Sequence, residues 1–224
     1  MKKMSHFFLK TTEGKFLGSV GLIIVILFGY YFYSTSTNPE VVTDATPVVI
    51  TQTDHVRGAK DGKVTLVEFG DFQCPACGAY FPIVEEVNEK YGDHFRFVYR
   101  HFPLTQHKNA TPAAQAAEAA GVQGKFWDMY KLIFTNQKDW VDLTDPMPKF
   151  TEYATTLGLD IAKFTTDYDL KSIKDGIDAD QKSGVKAGVD STPTFYLNGK
   201  KINAQSYEQF KKLIDEAATT TVAS

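Results

Sequence analysis

Only two cysteines occur in the 224-residue chain, and they stand three positions apart as Cys74-Pro75-Ala76-Cys77. A scaffold stapled by disulfides carries more cysteines at wider spacing. A bridge this short also closes too small a loop to constrain much of the unfolded chain. Half a zinc site is a second reading, but a structural site needs about four ligands, commonly with another Cys or His pair nearby. His55, His94, His101 and His107 are scattered instead. Two inert buried thiols are a third reading. The spacing favours a redox dithiol, with no metal and no cofactor beyond the Cys74–Cys77 disulfide itself.

The flanking residues say how such a dithiol is held. Val64–Phe69 is an apolar run that reads as a strand after the Asp61-Gly62 turn. Pro75 suits the first position of a helix, and Ala79, Ile83, Val84 and Val87 recur at helical spacing until Tyr91-Gly92-Asp93. Cys74 therefore falls at a helix start, where free N–H groups and the positive end of the dipole favour a thiolate. A thiol of lowered pKa leaves easily from a disulfide, so a client thiolate attacks there and a mixed disulfide forms on Cys74. Cys77, one turn further in, is the resolving thiol. Glu68 lies inside the apolar strand. Two readings stand: it points to solvent, or it is a buried proton acceptor of raised pKa that deprotonates Cys77.

The N-terminal segment constrains location. Phe16–Pro39 holds no charged residue, and Phe16–Tyr33 is almost wholly apolar. Eighteen helical residues rise about 27 Å, near the thickness of a bilayer core. Four lysines precede this stretch, and no Lys or Arg follows it until Arg57. The expectation is a cytoplasmic segment 1–15, a single-pass transmembrane anchor 16–33 with Tyr30, Tyr31 and Tyr33 at the far interface, and an exported remainder. Cleavage as a signal peptide is the alternative, giving a secreted or periplasmic protein, with Ser34-Thr35-Ser36 as a weak site. Either outcome puts the cysteines where disulfides persist. Beyond residue 33 the chain has 20 basic and 26 acidic residues, which argues against nucleic acid as a partner.

Residues 34–54 read as a polar linker with Pro39 and Pro47, Val48–Ile50 adding a short edge strand. Phe95–Phe102 is aromatic and β-branched, hence a second strand and a βαβ unit. Helical patterns follow at Ala110–Ala120, Lys125–Phe134, Pro148–Leu157, Ile161–Asp169 and Ile173–Gly188, an insertion of about 105–187. Trp127 and Trp140 read as core. Thr194–Leu197, the Asn198-Gly199 turn and Lys201–Ile202 form a hairpin, and Ser206 caps a last helix with Phe210, Leu213, Ile214 and Ala217 facing inward. Residues 219–224 are a tail. Pro193 heads a strand, where proline is tolerated.

With these pieces in place the chain resembles the thioredoxin superfamily, and within it the DsbA-like membrane-anchored thiol-disulfide oxidoreductases. The match covers about His55 to Ala217, within a domain of 55–218. It rests on EFGDFQCPACG, AAEAAGVQGKFWDMYKLIF and GVDSTPTFYLNGKKI. The resemblance implies an α/β thioredoxin fold, βαβ plus ββα on a mixed sheet, with an inserted helical subdomain; the one N-terminal transmembrane helix read at 16–33 would precede it. It carries the nucleophile onto Cys74, the resolving thiol onto Cys77, the buried acid onto Glu68 and a cis-proline onto Pro193. Thr192, Pro75, Ala76 and Phe72 are the expected client contacts, with Phe72, Tyr80 and Phe81 forming an apolar patch. Exported cysteine-containing proteins are the expected clients of a monomer, and a quinone-linked membrane thiol oxidase recharges the disulfide. Strongly oxidising relatives carry Pro-His between the cysteines, where this chain has Pro75-Ala76. Thr192 before the proline also occurs in reductase-like and isomerase-like relatives. A reductase or isomerase fed by a membrane reductant donor, and a peptide-binding chaperone module, are therefore the alternatives to an oxidase.

Overall fold

The computed structural model describes residues 39–42, 48–59, 61–92 and 94–220. The expected span at 16–33 and the segment 1–15 lie outside these residues. Among the described residues no helix is long and apolar enough to cross a membrane.

The sheet is built outward from β3 (Val64–Gly70), in which every residue is buried. β4 (Phe95–His101) pairs parallel to it, with Glu68 opposite Tyr99. β5 (Thr194–Leu197) pairs antiparallel on the other side, with Glu68 opposite Phe195. β6 (Lys200–Asn203) continues beyond β5 through the Asn198-Gly199 turn, where both residues have positive φ, as a tight hairpin requires. Two edge strands close the sheet: β1 (Glu40–Val42) on β6 and β2 (His55–Gly58) on β4, both antiparallel. The order is β1-β6-β5-β3-β4-β2, a mixed sheet as expected.

Two expectations for the linker are corrected. Part of 34–54 is a strand, β1, which covers the otherwise open edge of β6. Val48–Ile50 is not a strand, because its backbone finds other partners. Val48 N donates to Gly199 O (3.1 Å), and Val49 O accepts from Arg100 Nη2 (2.7 Å). Arg100 and Asp54 form an almost fully buried fork, Nε to Oδ1 at 2.7 Å and Nη2 to Oδ2 at 2.8 Å, that clamps this segment to the sheet. The guanidinium outweighs the penalty of burial and holds Asp54 below the ordinary carboxylate range. Arg100→Met leaves that carboxylate buried without its countercharge, held only by the Thr51 donors N (2.6 Å) and Oγ1 (3.1 Å) among the described residues. The expected loss is about 3 kcal/mol by urea unfolding, most of it recovered on adding Asp54→Leu.

Alternation along β3 puts Leu66 and Glu68 on one face and Val67 and Phe69 on the other. The first face is covered by α1 (Pro75–Tyr91), by α7 (Tyr207–Thr220) and by the insertion, which comprises α2 (Ala110–Gly121), α3 (Phe126–Thr135), α4 (Met147–Thr156), α5 (Ile161–Tyr168) and α6 (Lys171–Ala187). The second face is covered by the end of α6 and by Val48 and Ile50. Close approach there depends on Gly184, where a Cβ would lie 2.7 Å from the Phe102 ring. Trp140 is fully buried and donates Nε1–H to Ile133 O (2.9 Å), as core rather than surface. Ser206 Oγ accepts from Gln209 N (3.4 Å), the expected cap of α7.

Candidate functional site

β3 ends at Gly70, and a three-residue turn, Asp71-Phe72-Gln73, carries the chain to Cys74. Cys74 is the N-cap of α1, extended at φ −65° and ψ 123°, with Pro75 in the first turn. Among the described residues no side chain caps the helix, so its first N–H groups stay available to the sulfur. The turn is fixed from several elements. Asp71, fully buried, accepts from Gln73 N (2.7 Å), Leu104 N (2.9 Å) and His107 Nδ1 (2.7 Å). Gln137 reaches in from the single 3-10 turn after α3 and donates to Phe72 O (2.8 Å) and Cys74 O (2.9 Å). Gln73 bonds Val141 O (2.8 Å) and accepts from Asn109 N (2.6 Å), tying the turn to the insertion.

Both thiols are free and buried in this structure, Cys74 at 6% exposure and Cys77 at 0%. The antiparallel β3–β5 pairing, Phe69 opposite Thr194, brings Thr192-Pro193 alongside the dithiol. The Thr192–Pro193 peptide is cis, and Thr192 O lies 3.4 Å from Cys74 Sγ. A hydrogen bond from the Cys77 thiol, helped by the Thr192 side chain and the N–H groups of Cys77 and Ala76, overcomes burial and holds Cys74 down at about 5. Cys77 goes the other way. Burial, its bond to Cys74 and the charge of Glu68 push it well above an ordinary thiol, although Asp71 N donates to its sulfur (3.4 Å). The two thiols thus differ in kind at neutral pH: one ionised, one protonated.

Glu68 is buried at 1% exposure, which excludes the solvent-facing reading. Burial first, then the Cys74 thiolate, pushes its carboxyl up to about 8, and Oε2 has no hydrogen-bond partner among the described residues. A protonated carboxyl, a thiolate and a thiol within one site can pass a proton between oxygen and sulfur without drawing on bulk water.

Pro75 and Ala76 are exposed beside Cys74. Phe72 is not, and the expected client contact there is corrected. Its ring is 1% exposed, packed on Phe134 (4.8 Å) and Tyr99 (5.1 Å), because the turn points it into the seam between sheet and insertion. Tyr80 and Phe81 are half-buried against Phe195 and Phe134, so the three rings form core rather than an open patch. What does open beside the motif is a groove of about 560 Å³ between Pro75, Gly78 and Ala79 on α1 and Phe134, Gln137 and Lys138. Sequence reasoning missed Asp71, Gln73 and Gln137. Asp71 sits inside the motif and carried a signal, as an acid in an apolar context; Gln137 carried none.

A family model described as thioredoxin matches residues 50–216. Among curated proteins, the Na(+)/H(+) antiporter NhaA 1 of Mycolicibacterium gilvum is 40% identical over 153 residues, 66% of this chain and 24% of that one. NhaA of Herminiimonas arsenicoxydans is 35% identical over 162 residues, 72% and 25%. The chain thus spans about a quarter of the length of these curated relatives, and the antiport in their names is said of them alone. Among solved structures, alpha-DsbA1 of Wolbachia pipientis superposes with TM-score 0.70 at 20% identity, over 79% of this chain and 96% of that one. Oxidised BdbD of Bacillus subtilis gives TM-score 0.66 at 25% identity, over 77% and 96%. With its dithiol at a helix start and the matching family model spanning most of its length, the chain belongs to the thioredoxin family.

Proposed function

We propose that this protein is an extracytoplasmic thiol oxidase that donates the Cys74–Cys77 disulfide to exported proteins. The observation that carries this reading is the opposed ionisation of the pair, Cys74 held down at about 5 and Cys77 pushed well above an ordinary thiol. A stabilised thiolate stabilises the reduced protein, and so makes the disulfide oxidising. A client thiolate attacks Cys74 Sγ, the Cys74–Cys77 bond breaks, and Cys77 leaves as a thiolate that takes a proton from Glu68. A second client thiolate then attacks the client sulfur of the mixed disulfide, and Cys74 leaves as the stabilised thiolate. The client has lost two electrons and gained a disulfide. The protein, now a dithiol, is recharged by a disulfide partner, for which a quinone-linked membrane oxidase is the proposed class.

Thr192, beside Cys74, offers backbone groups to an extended client, with exposed Pro75 and Ala76 as the adjoining contacts. Residues 16–33 serve as a single-pass anchor with the N-terminus in the cytoplasm, which keeps the dithiol domain close to that partner. Ala76 supports a second reading. It offers neither charge nor hydrogen bond to the thiolate, which favours a milder couple working as reductase or isomerase.

The reduction potential decides between them. A Cys74 pKa of about 5 lies between the values of about 7 and about 3.5 that accompany potentials of about −270 mV and about −120 mV in related dithiols. The expected value, from equilibration with glutathione, is about −180 mV. A potential near the −270 mV end would sink the oxidase reading and leave the reductase.

A further inference from the structure

The mechanism above leaves two buried phenols at the site without a task, Tyr99 and Tyr130, and the sheet register singles out the first. Tyr99 is directly opposite Glu68 in the parallel β3–β4 pair, so the two side chains share a face of the sheet. Its hydroxyl is buried and has no hydrogen-bond partner among the described residues. A buried phenol left unpaired is costly, and such groups usually have a partner in some state of the protein. The position of this one is specific. A Cβ at Gly70 would sit 2.9 Å from the Tyr99 oxygen, so the phenol occupies the space that any other residue there would fill. The next residue, Asp71, donates its N–H to Cys77 Sγ. The phenol, the Glu68 carboxyl and the Cys77 thiol thus lie in one buried neighbourhood beneath the start of α1.

We propose that the Tyr99 hydroxyl is a positioning group for proton exchange between Glu68 and Cys77, donating a hydrogen bond to whichever of the two is ionised. The inference rests on the role given to Glu68 above. Burial first, then the charges of Cys77 and Glu68, push the phenol well above an ordinary tyrosine, so it remains a donor throughout the working range. The groups facing it are Glu68 from β3, Cys77 from α1, Asp71 from the turn and Tyr130 from α3, whose ring stands 5.1 Å away. On the far side His101, 5.5 Å ring to ring, and His55 are both tied to Glu118. Burial pushes Glu118 up, but the two imidazoles outweigh it and hold it at about 2, so this cluster is committed elsewhere.

The test follows reduced protein reacting with oxidised glutathione, with acid quenching and mass spectrometry. The Cys74 thiolate attacks first, giving a Cys74–glutathione disulfide and one glutathione thiolate. Cys77 then passes its proton to Glu68 and attacks the Cys74 sulfur, releasing the second glutathione thiolate and forming the intramolecular disulfide. Tyr99→Phe removes only the hydroxyl. The expected result is an unchanged first step and a second step about tenfold slower at neutral pH, its profile displaced to higher pH. Tyr153→Phe, which removes a buried unpartnered phenol on α4, should match the unsubstituted protein in both steps. A Tyr99→Phe second step superimposable on the unsubstituted profile overturns the proposal. Glu68→Gln is run beside it: normal resolution there removes the proton-acceptor role of Glu68, while the Tyr99→Phe result still reports on the phenol.

Discussion

Replacing Cys74 by serine is expected to reduce thiol-disulfide exchange to background, whereas replacing Cys77 by serine leaves a protein that accumulates clients as covalent adducts on Cys74. The asymmetry follows from the site. Cys74 opens onto Pro75 and Ala76 at a free helix start, and with a pKa of about 5 it is almost wholly ionised at neutral pH. Cys77 is fully enclosed and protonated. Serine at 74 can neither attack a disulfide nor be attacked as one. Serine at 77 leaves the attacking sulfur intact but removes the only internal thiol able to release the adduct. Two measurements check this. Non-reducing gels of cells carrying Cys77→Ser should show client adducts that vanish on reduction. Alkylation of the reduced protein by iodoacetamide should titrate with a midpoint near 5, at one site. Equal adduct yields from the two variants, or a midpoint in the range of an ordinary thiol, would overturn the assignment of roles.

Much of this arrangement is legible in the residues, and the parts that are not share a cause. The helix start at Cys74-Pro75 and the Asn198-Gly199 hairpin are local signals, and both stand where spacing put them. The orientation of Glu68 was not decidable, because β3 is buried on both faces and alternation of apolar and polar residues then carries no information. Phe72 lies in a turn, with no periodicity to say whether an aromatic ring points in or out. Glu40–Val42 is too short for a pattern, and Val48–Ile50 has a strand's composition but gives its hydrogen bonds to Arg100 and Gly199. Gln137, 63 residues beyond the Cys74 whose carbonyl it bonds, acts through a fold that brings the end of α3 beside α1, which no window of sequence contains.

Glu68→Gln is expected to slow the attack of Cys77 on a Cys74 mixed disulfide by about a hundredfold or more, the usual worth of a positioned acid-base group. Its timing comes from its neighbour. In the reduced protein the Cys74 thiolate, second to burial, helps keep the Glu68 carboxyl up at about 8 and therefore protonated. Once Cys74 is in a mixed disulfide that charge is gone, and the carboxyl becomes a stronger acid at the stage when Cys77 must lose a proton. The same group leaves a signature in stability. Its folded pKa lies above the unfolded one, so its contribution is fully present below about 4.5 and is lost as pH rises through about 8. The full difference is about 5 kcal/mol in the reduced protein. Urea unfolding of reduced Glu68→Gln, compared with the unsubstituted protein, should therefore show a relative gain that grows across that window. Cys74→Ser should narrow the window from its upper end, since it removes the thiolate that raises the carboxyl. A stability difference independent of pH would mean that Glu68 is ionised in the folded protein, and with it the proton exchange beneath Cys77 would fall.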